Sequence, residues 1–507
     1  MAKINKKVSP GKKLLAREDV TLNEEGGIAF RPDAKMELML RTVSSLISED
    51  GFYKSGEELD ADLRNVIDNV AQTDQAFILK LAYYARDKMY LRTAPVVLMG
   101  EYAMLKNKNA PHARKYISNT IQRADEITEL IAYFQSRNKT VKGKLPQVIK
   151  FGIADAFKKF DGYQLAKYNR EGEVTLRDAM FMTHPIPRDE NQAEVFKHLA
   201  DQTLAPPDTW EVLISTQGST KENWEKILPK MGYMAILRNC RNFLDKNVDI
   251  TPVIQTLTDP KQVAKSKQFP YRFLSAYKEL KDRDDSSKLL DALSDAADLS
   301  VANVPTFSGK TFVTCDISGS MHGTVSGKSK IQMQEIGCLF GAIMHKKSKD
   351  SITSVFATEH VPVSLSQRDS LFTNVNKMLK QNTHGYGTDA YKVMNYLVDN
   401  KIFVDRIVLF SDMQCYDSRV PKVDRYFPLG YNTESNIYTG LQKYRQQVNK
   451  DVYVYSFDLT SYGTTQFPQN DNRVCLAGGF SDKVLNFIPM FESSHKDMLQ
   501  DVESIAL

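Results

Sequence analysis

Asp316-Ile317-Ser318-Gly319-Ser320 places oxygen-bearing side chains at alternate positions, an Asp-x-Ser-x-Ser pattern that suits a loop wrapped around a cation. Two further fragments carry the same kind of donor: Thr388 in Gly387-Thr388-Asp389, and Asp412 in Ser411-Asp412-Met413. Two carboxylates and three hydroxyls form a hard ligand set, suited to Mg²⁺ or another divalent cation that prefers oxygen, and poorly suited to a soft metal. Because most of the donors are neutral, a bound cation keeps residual positive charge and can accept an acidic group. This is the chemistry of binding rather than catalysis. Ser318 and Ser320 lack the Gly-x-Ser-x-Gly elbow, and no histidine is placed to activate them. His322 and His384 are near these loops in sequence and read as surface residues. Neither a Walker loop nor a dinucleotide fingerprint occurs, so a non-enzymatic protein is expected.

These fragments matter only if the fold brings them together. Thr311–Cys315, Ile352–Ala357, Arg406–Phe410 and Val452–Phe457 are short β-rich runs; Lys328–Lys346, Asp389–Asn400 and Ser435–Val448 between them read as helices. Strand and helix in alternation predict a doubly wound, mostly parallel sheet, which binds ligands beyond the carboxyl ends of its strands. Asp316 and Asp412 follow two of those strands, and Gly387-Thr388-Asp389 opens a helix at the same edge.

From about residue 30 to 300 the pattern is different. Met36, Met39, Leu40, Val43, Leu46 and Ile47 recur at helical spacing, as do Leu145, Val148, Ile149, Ile153, Ala156, Phe157 and Phe160. Breakers such as Lys142-Gly143-Lys144, Asp161-Gly162, Glu171-Gly172-Glu173, Pro185-Ile186-Pro187 and Pro206-Pro207 separate the segments. Helical pairs without evident strands predict a solenoid-like array. The expected division is an N-terminal segment 1–29, partly flexible, a helical-repeat module 30–302, and an α/β domain 303–507, with the boundary near Ala302–Ser308.

Composition sets the outer limits. At 507 residues the chain exceeds one core; 42% hydrophobic and 25% charged residues without a long apolar run predict a water-soluble protein with no membrane partner. The basic start, Met1 to Lys7, leads into Ser9-Pro10-Gly11 rather than a signal-peptide core, so nothing directs export and a cytoplasmic location is expected. Five scattered cysteines, Cys240, Cys315, Cys338, Cys415 and Cys475, show no C-x-x-C pair and read as buried reduced thiols. Net charge is +5, of which +4 falls in 1–300, too mild to indicate nucleic acid by itself.

The C-terminal pattern resembles the von Willebrand factor type A domain and its metal-ion-dependent adhesion site. That resemblance implies Asp316, Ser318, Ser320 and Thr388 around the ion, with Asp412 in direct contact or acting through water. In the helical half, Leu165-Ala166-Lys167-Tyr168-Asn169-Arg170, Leu176-Arg177-Asp178 and Thr183-His184-Pro185-Ile186-Pro187 look like the TROVE module of the Ro autoantigen family. Tyr90-Leu91-Arg92-Thr93, Trp210–Thr220 and Leu237-Arg238-Asn239-Cys240-Arg241-Asn242 extend the likeness over most of 30–300. TROVE followed by a type A domain is that family's own arrangement.

The resemblance implies a HEAT-like helical ring that binds small structured Y RNAs on its outer surface and single-stranded 3′ ends of misfolded RNA in its hole. It further implies a monomer acting in RNA quality control, with an exoribonuclease as a partner of some bacterial members. Lys167, Arg170 and His184 are implied in the outer patch, although Glu171 stands where the family can have a basic residue. Lys167, Arg170 and Arg177 suit phosphate contacts; His184 can hydrogen-bond a phosphate or base edge without being charged. Arg92, Arg238 and Arg241 either line the hole or act as struts between repeats. The alternative function is a protein-interaction scaffold whose metal site binds an acidic residue of a partner.

Overall fold

A computed structural model describes residues 17–44, 53–138, 144–268, 270–327, 329–416, 436–479, 482–494 and 496–506. Most of the N-terminal segment, together with Leu46, Ile47, Lys142, Gly143, Lys328 and Ser435 of the expected elements, lies outside them. The chain packs as two compact units, neither continuous in sequence: Met1–Leu59 with Ile254–Met498, and Asp60–Val253 with Leu499–Leu507. The helices just before residue 302 thus cluster with the sheet.

The first unit is built on a six-stranded sheet in the order β5-β4-β3-β6-β7-β8: β3 (Phe307–Asp316), β4 (Ser348–Phe356), β5 (His360–Val363), β6 (Arg406–Ser411), β7 (Tyr453–Asp458) and β8 (Val474–Gly478). All neighbours pair in parallel except β4 and β5. The four strands expected from the sequence are β3, β4, β6 and β7. Their near-continuous apolar character follows from burial on both faces: Val313, Cys315, Val408 and Phe410 lie on one, Phe312, Ile407, Leu409 and Val454 on the other. Helices Met333–Lys347, Tyr391–Asp399 and Ile437–Gln447 realise the three expected helices. The edge strand β5, the far strand β8 and helix Leu371–Leu379 go beyond the sequence expectation.

A small antiparallel hairpin, β1 (Val20–Leu22) with β2 (Ile28–Phe30), precedes helix Ala34–Ser44. Phe30 bridges to Thr465 through reciprocal 2.9 Å backbone bonds, tying the hairpin to the loop after β7. Asn23 makes the turn: its side-chain oxygen accepts from the amides of Glu25 and Gly27 at 3.1 and 2.8 Å, while Gly26 takes φ +76°. Helix Ala34–Ser44 buries Met36, Met39, Leu40 and Val43, the stripe expected from their spacing.

The second unit is helical, with helix–turn–helix neighbours such as Gln75–Asp87 and Thr93–Met104 in contact. Helices Ala113–Thr120 and Gln147–Phe157 approach closely because Gly152 faces Ile117, where a Cβ would stand 2.6 Å from the Ile117 methyl. Asp161, one of the expected breakers, caps helix Gly162–Tyr168 by accepting from the Gln164 amide at 2.7 Å. The chain's end returns to this unit, where the Glu503 carbonyl accepts from Lys80 Nζ at 2.6 Å. All five cysteines are buried thiols outside any disulfide. No described helix is long and apolar enough to cross a membrane.

The hairpin turn offers a direct test of its docking. A Cβ at Gly27 would lie 2.0 Å from the Cys415 carbonyl oxygen, a backbone atom with little freedom to yield. Gly27→Ala is expected to destabilise the first unit by about 1–3 kcal/mol, the range for overpacking. Equal denaturant midpoints for variant and native protein would show that the turn is not docked there.

Candidate functional site

The sheet brings the predicted metal residues to one edge. Asp316 ends β3, the segment Ser318–Ser320 follows it, Asp412 follows β6, and Thr388 lies in the loop before helix Tyr391–Asp399. Asp316, Ser318, Ser320, Thr388 and Asp412 are all buried. Backbone bonds knit the three loops together: Gly319 N donates to the Tyr386 carbonyl and Tyr416 N to the Thr388 carbonyl, both at 2.9 Å. Within the site, Asp316 Oδ1 accepts from the Ser318 amide at 2.9 Å, and Asp316 Oδ2 from Ser411 Oγ at 2.7 Å. The Ser318 and Ser320 hydroxyls are 3.3 Å apart.

Burial concentrates negative charge here. It pushes the Asp316 carboxyl up to about 6, partly offset by the Ser318 and Ser411 hydrogen bonds. Burial raises Asp412 as well, and the neighbouring Asp316 charge adds to the effect. Asp412 Oδ2 is enclosed without a hydrogen-bond partner. An orphaned carboxylate oxygen beside a second buried carboxylate fits a divalent cation, which would compensate both charges. Among the described residues no three His, Cys, Asp or Glu side chains assemble into a metal cluster. The strand ends offer two carboxylates and hydroxyls instead, a hard donor set for Mg²⁺. His322 packs edge-on against Tyr386 at 5.1 Å, and His384 is exposed; neither stands among these donors.

Sequence reasoning passed over Asp458. It ends β7 just as Asp316 ends β3, and that shared placement was the available signal. Its Oδ1 accepts from the Thr460 and Ser461 amides at 3.0 and 2.7 Å; Oδ2 has no partner, and burial pushes the group up to about 7.

The predicted RNA residues divide into groups. Lys167 and Arg170 line one cleft of about 530 Å³, closed on its other side by Leu204 to Pro207 and helix Trp210–Gln217. Lys167 Nζ lies 5.9 and 5.8 Å from the Tyr163 and Tyr168 ring centroids. Arg177 and His184 do not line that cleft. Arg177 Nε donates to the Ala200 carbonyl at 2.7 Å, tying two helices, and its guanidinium sits over the exposed Phe181 ring at 5.1 Å. His184 is an exposed residue with φ +51° that ends helix Leu176–Thr183. Arg92 pairs with Asp125 at 3.0 Å and Glu129 at 3.5 Å, which is strut geometry. Arg238 and Arg241 are exposed, one turn apart on helix Tyr233–Asp245.

The charge argument yields a measurement. A cation that binds only the folded protein stabilises it by roughly 2.7 kcal/mol at a hundredfold excess over Kd. Mg²⁺ should therefore raise the Tm of the native protein and leave that of Asp316→Ala unchanged. The ion needs ionised carboxylates, and Asp316 titrates near 6. The Tm gain should accordingly be larger at pH 7.5 than at pH 5. Identical melting with Mg²⁺ and with chelator at pH 7.5 would rule the site out.

Comparison with known proteins places this geometry in a family. The TROVE domain matches residues 29–206 and 201–293, and the Ro60 vWA domain matches 310–426. Telomerase protein component 1 of Rattus norvegicus is 25% identical over 334 residues, 49% of this chain but 13% of that protein. The chain thus spans a small part of that relative's length. RNA-binding protein RO60 of Deinococcus radiodurans is 21% identical over 454 residues, covering 78% of this chain and 84% of that one. The crystal structure of the Deinococcus radiodurans RO (RSR) protein shares the fold, with a TM-score of 0.63 at 18% identity over 90% of this chain and 99% of its own. With the TROVE match spanning just over half of the sequence and the Ro60 type of vWA domain following it, the chain belongs to the TROVE family.

Proposed function

We propose that the protein binds structured small RNA, of the Y RNA kind, through the face of the helical unit that carries Lys167 and Arg170, and takes part in RNA quality control. The observation that carries this reading is the cleft itself: Lys167 and Arg170 line an open, 530 Å³ concavity against a single carboxylate, Glu211, and Lys167 also lies near the Tyr163 ring, in a chain of the same family as an RNA-binding protein. Phosphate contacts from Lys167 and Arg170 would hold the RNA backbone, and the Tyr163 ring, half exposed, offers a face for a base or sugar. His184 and Arg177 flank this surface in sequence and would extend it along the next helix. The divalent cation, Mg²⁺ in our reading, would hold together the strand-end loops of the sheet and has no part in bond breaking.

Backbone recognition sets the expected behaviour of a double variant. Lys167→Ala with Arg170→Ala should weaken binding of many stem-containing RNAs alike. It should also flatten the slope of log K against log salt by about 1 for each phosphate that the variant leaves without its cation. An unchanged slope would place the RNA elsewhere.

A second RNA mode, suggested by the family and by the exposed pair Arg238 and Arg241, is capture of an unpaired 3′ end by threading. A stem-loop with a 3′ tail should then bind more tightly than the same stem-loop blunt or tailed at its 5′ end. Arg238→Ala with Arg241→Ala should remove that advantage while leaving blunt stem-loops unaffected. Equal affinity of the native protein for all three RNAs would eliminate threading and leave a one-surface binder. Recruitment of an exoribonuclease to such tails is the corresponding role in quality control.

A further inference from the structure

The turn of the β1–β2 hairpin sits on the metal face of the sheet. Asn23 Nδ2 donates to the Cys415 carbonyl at 2.8 Å, and the Glu24 amide donates to Gln414 Oε1, also at 2.8 Å. Gln414 in turn donates its backbone amide to Asp412 Oδ1 at 3.1 Å. The turn is therefore bonded to the same loop that presents Asp412. Glu25, at the tip of this turn, accepts a hydrogen bond from the Tyr53 hydroxyl. That tyrosine packs edge-on against Tyr462 at 5.2 Å, and burial together with the nearby Asp412 charge raises its phenol. The Glu25 charge is felt at Asp316, where it adds to the effect of burial.

Mg²⁺ demands near-octahedral oxygen geometry and keeps waters in part of its shell, so positions beyond the strand-end side chains are open to another carboxylate. Asp412 Oδ2, enclosed and without a hydrogen-bond partner, marks where compensation is missing. We infer that Glu25, delivered by the N-terminal hairpin, becomes a further ligand of the cation, its carboxylate exchanging the Tyr53 hydroxyl for the ion on binding; this rests on the metal reading of the strand-end site. The position at which an acidic residue of another protein would reach the ion is then filled from within the chain. An outside carboxylate gains access only when the hairpin turn is displaced.

Mn²⁺ serves as a probe that reports both affinity and the number of bound waters, by titration and by water-proton relaxation on the full-length protein. Uptake by the native protein, lost in Asp316→Ala, tests the site itself; no uptake by the native protein would end both the metal reading and this inference. Given uptake, Glu25→Ala should weaken Mn²⁺ binding by about tenfold or more, the scale on which residues around a metal act. It should also add one bound water, and acetate should then bind to the Mn²⁺-loaded variant but not to the loaded native protein. Glu24→Gln is the control, because it removes the same charge from the same turn while Glu24 pairs with Lys54 at 3.3 Å. Native affinity and hydration in Glu25→Ala would overturn the inference. An equal loss in Glu24→Gln would overturn it too, by showing an effect of charge at a distance rather than a ligand.

Discussion

Three carboxylates, Asp316, Asp412 and Asp458, are buried at one edge of a parallel sheet, and the first unit has to accommodate that concentration of charge. Removal from water disfavours the ionised form of each, and the Asp316 charge raises Asp412 further. Amides of Ser318, Gln414, Thr460 and Ser461 offset part of the cost. The loops around the site are bonded to one another as well as to the strands, which keeps these dipoles in place. A cation would turn an unfavourable cluster into a cross-link between β3, β6 and the Thr388 loop.

The helical unit handles charge differently. Its deepest ion pair, Arg86 with Glu126 at 2.8 Å, is internally satisfied, since Glu126 also accepts from the amides of Gln122 and Arg123. Lys159 is held by the carbonyls of Ser118 and Ile121, and burial lowers its ammonium to about 8. Arg92 and Arg177 are likewise engaged with protein groups. Lys167 and Arg170 are different: both line an open cleft, Lys167 lies near two tyrosine rings, and neither shows an ion pair to the Glu211 carboxylate across the cleft. That contrast between cations used as struts and cations left facing solvent separates a candidate phosphate surface from ordinary scaffold.

Much of the sheet was legible because parallel strands buried on both faces are written as apolar runs, and because ligands of such sheets gather where strands end. Asp316 and Asp412 could be read from that rule alone. Asp458 obeys the same rule and was overlooked because no motif surrounds it. β5 and β8 were missed for a physical reason: His360–Val363 is a short antiparallel edge strand with a proline, and Val474–Gly478 carries little β-branched signal. Helical periodicity marked the repeats, while Asp161-Gly162, expected as a break, is a cap that starts a helix.

From residue types and spacing came the hard-oxygen donor set, the change from helical to alternating elements, the burial of the thiols and the resemblance to the TROVE family. These are local properties, carried by periodicity and by side-chain chemistry. Tertiary structure alone decided which arginines are struts, which cations share a cleft, and that Glu25 and Tyr53 stand beside a site centred some three hundred residues further along. Sequence separation holds no information about such neighbours. Their meeting depends on a hairpin bonded to the Thr465 and Cys415 backbone, through contacts any residue's main chain can make.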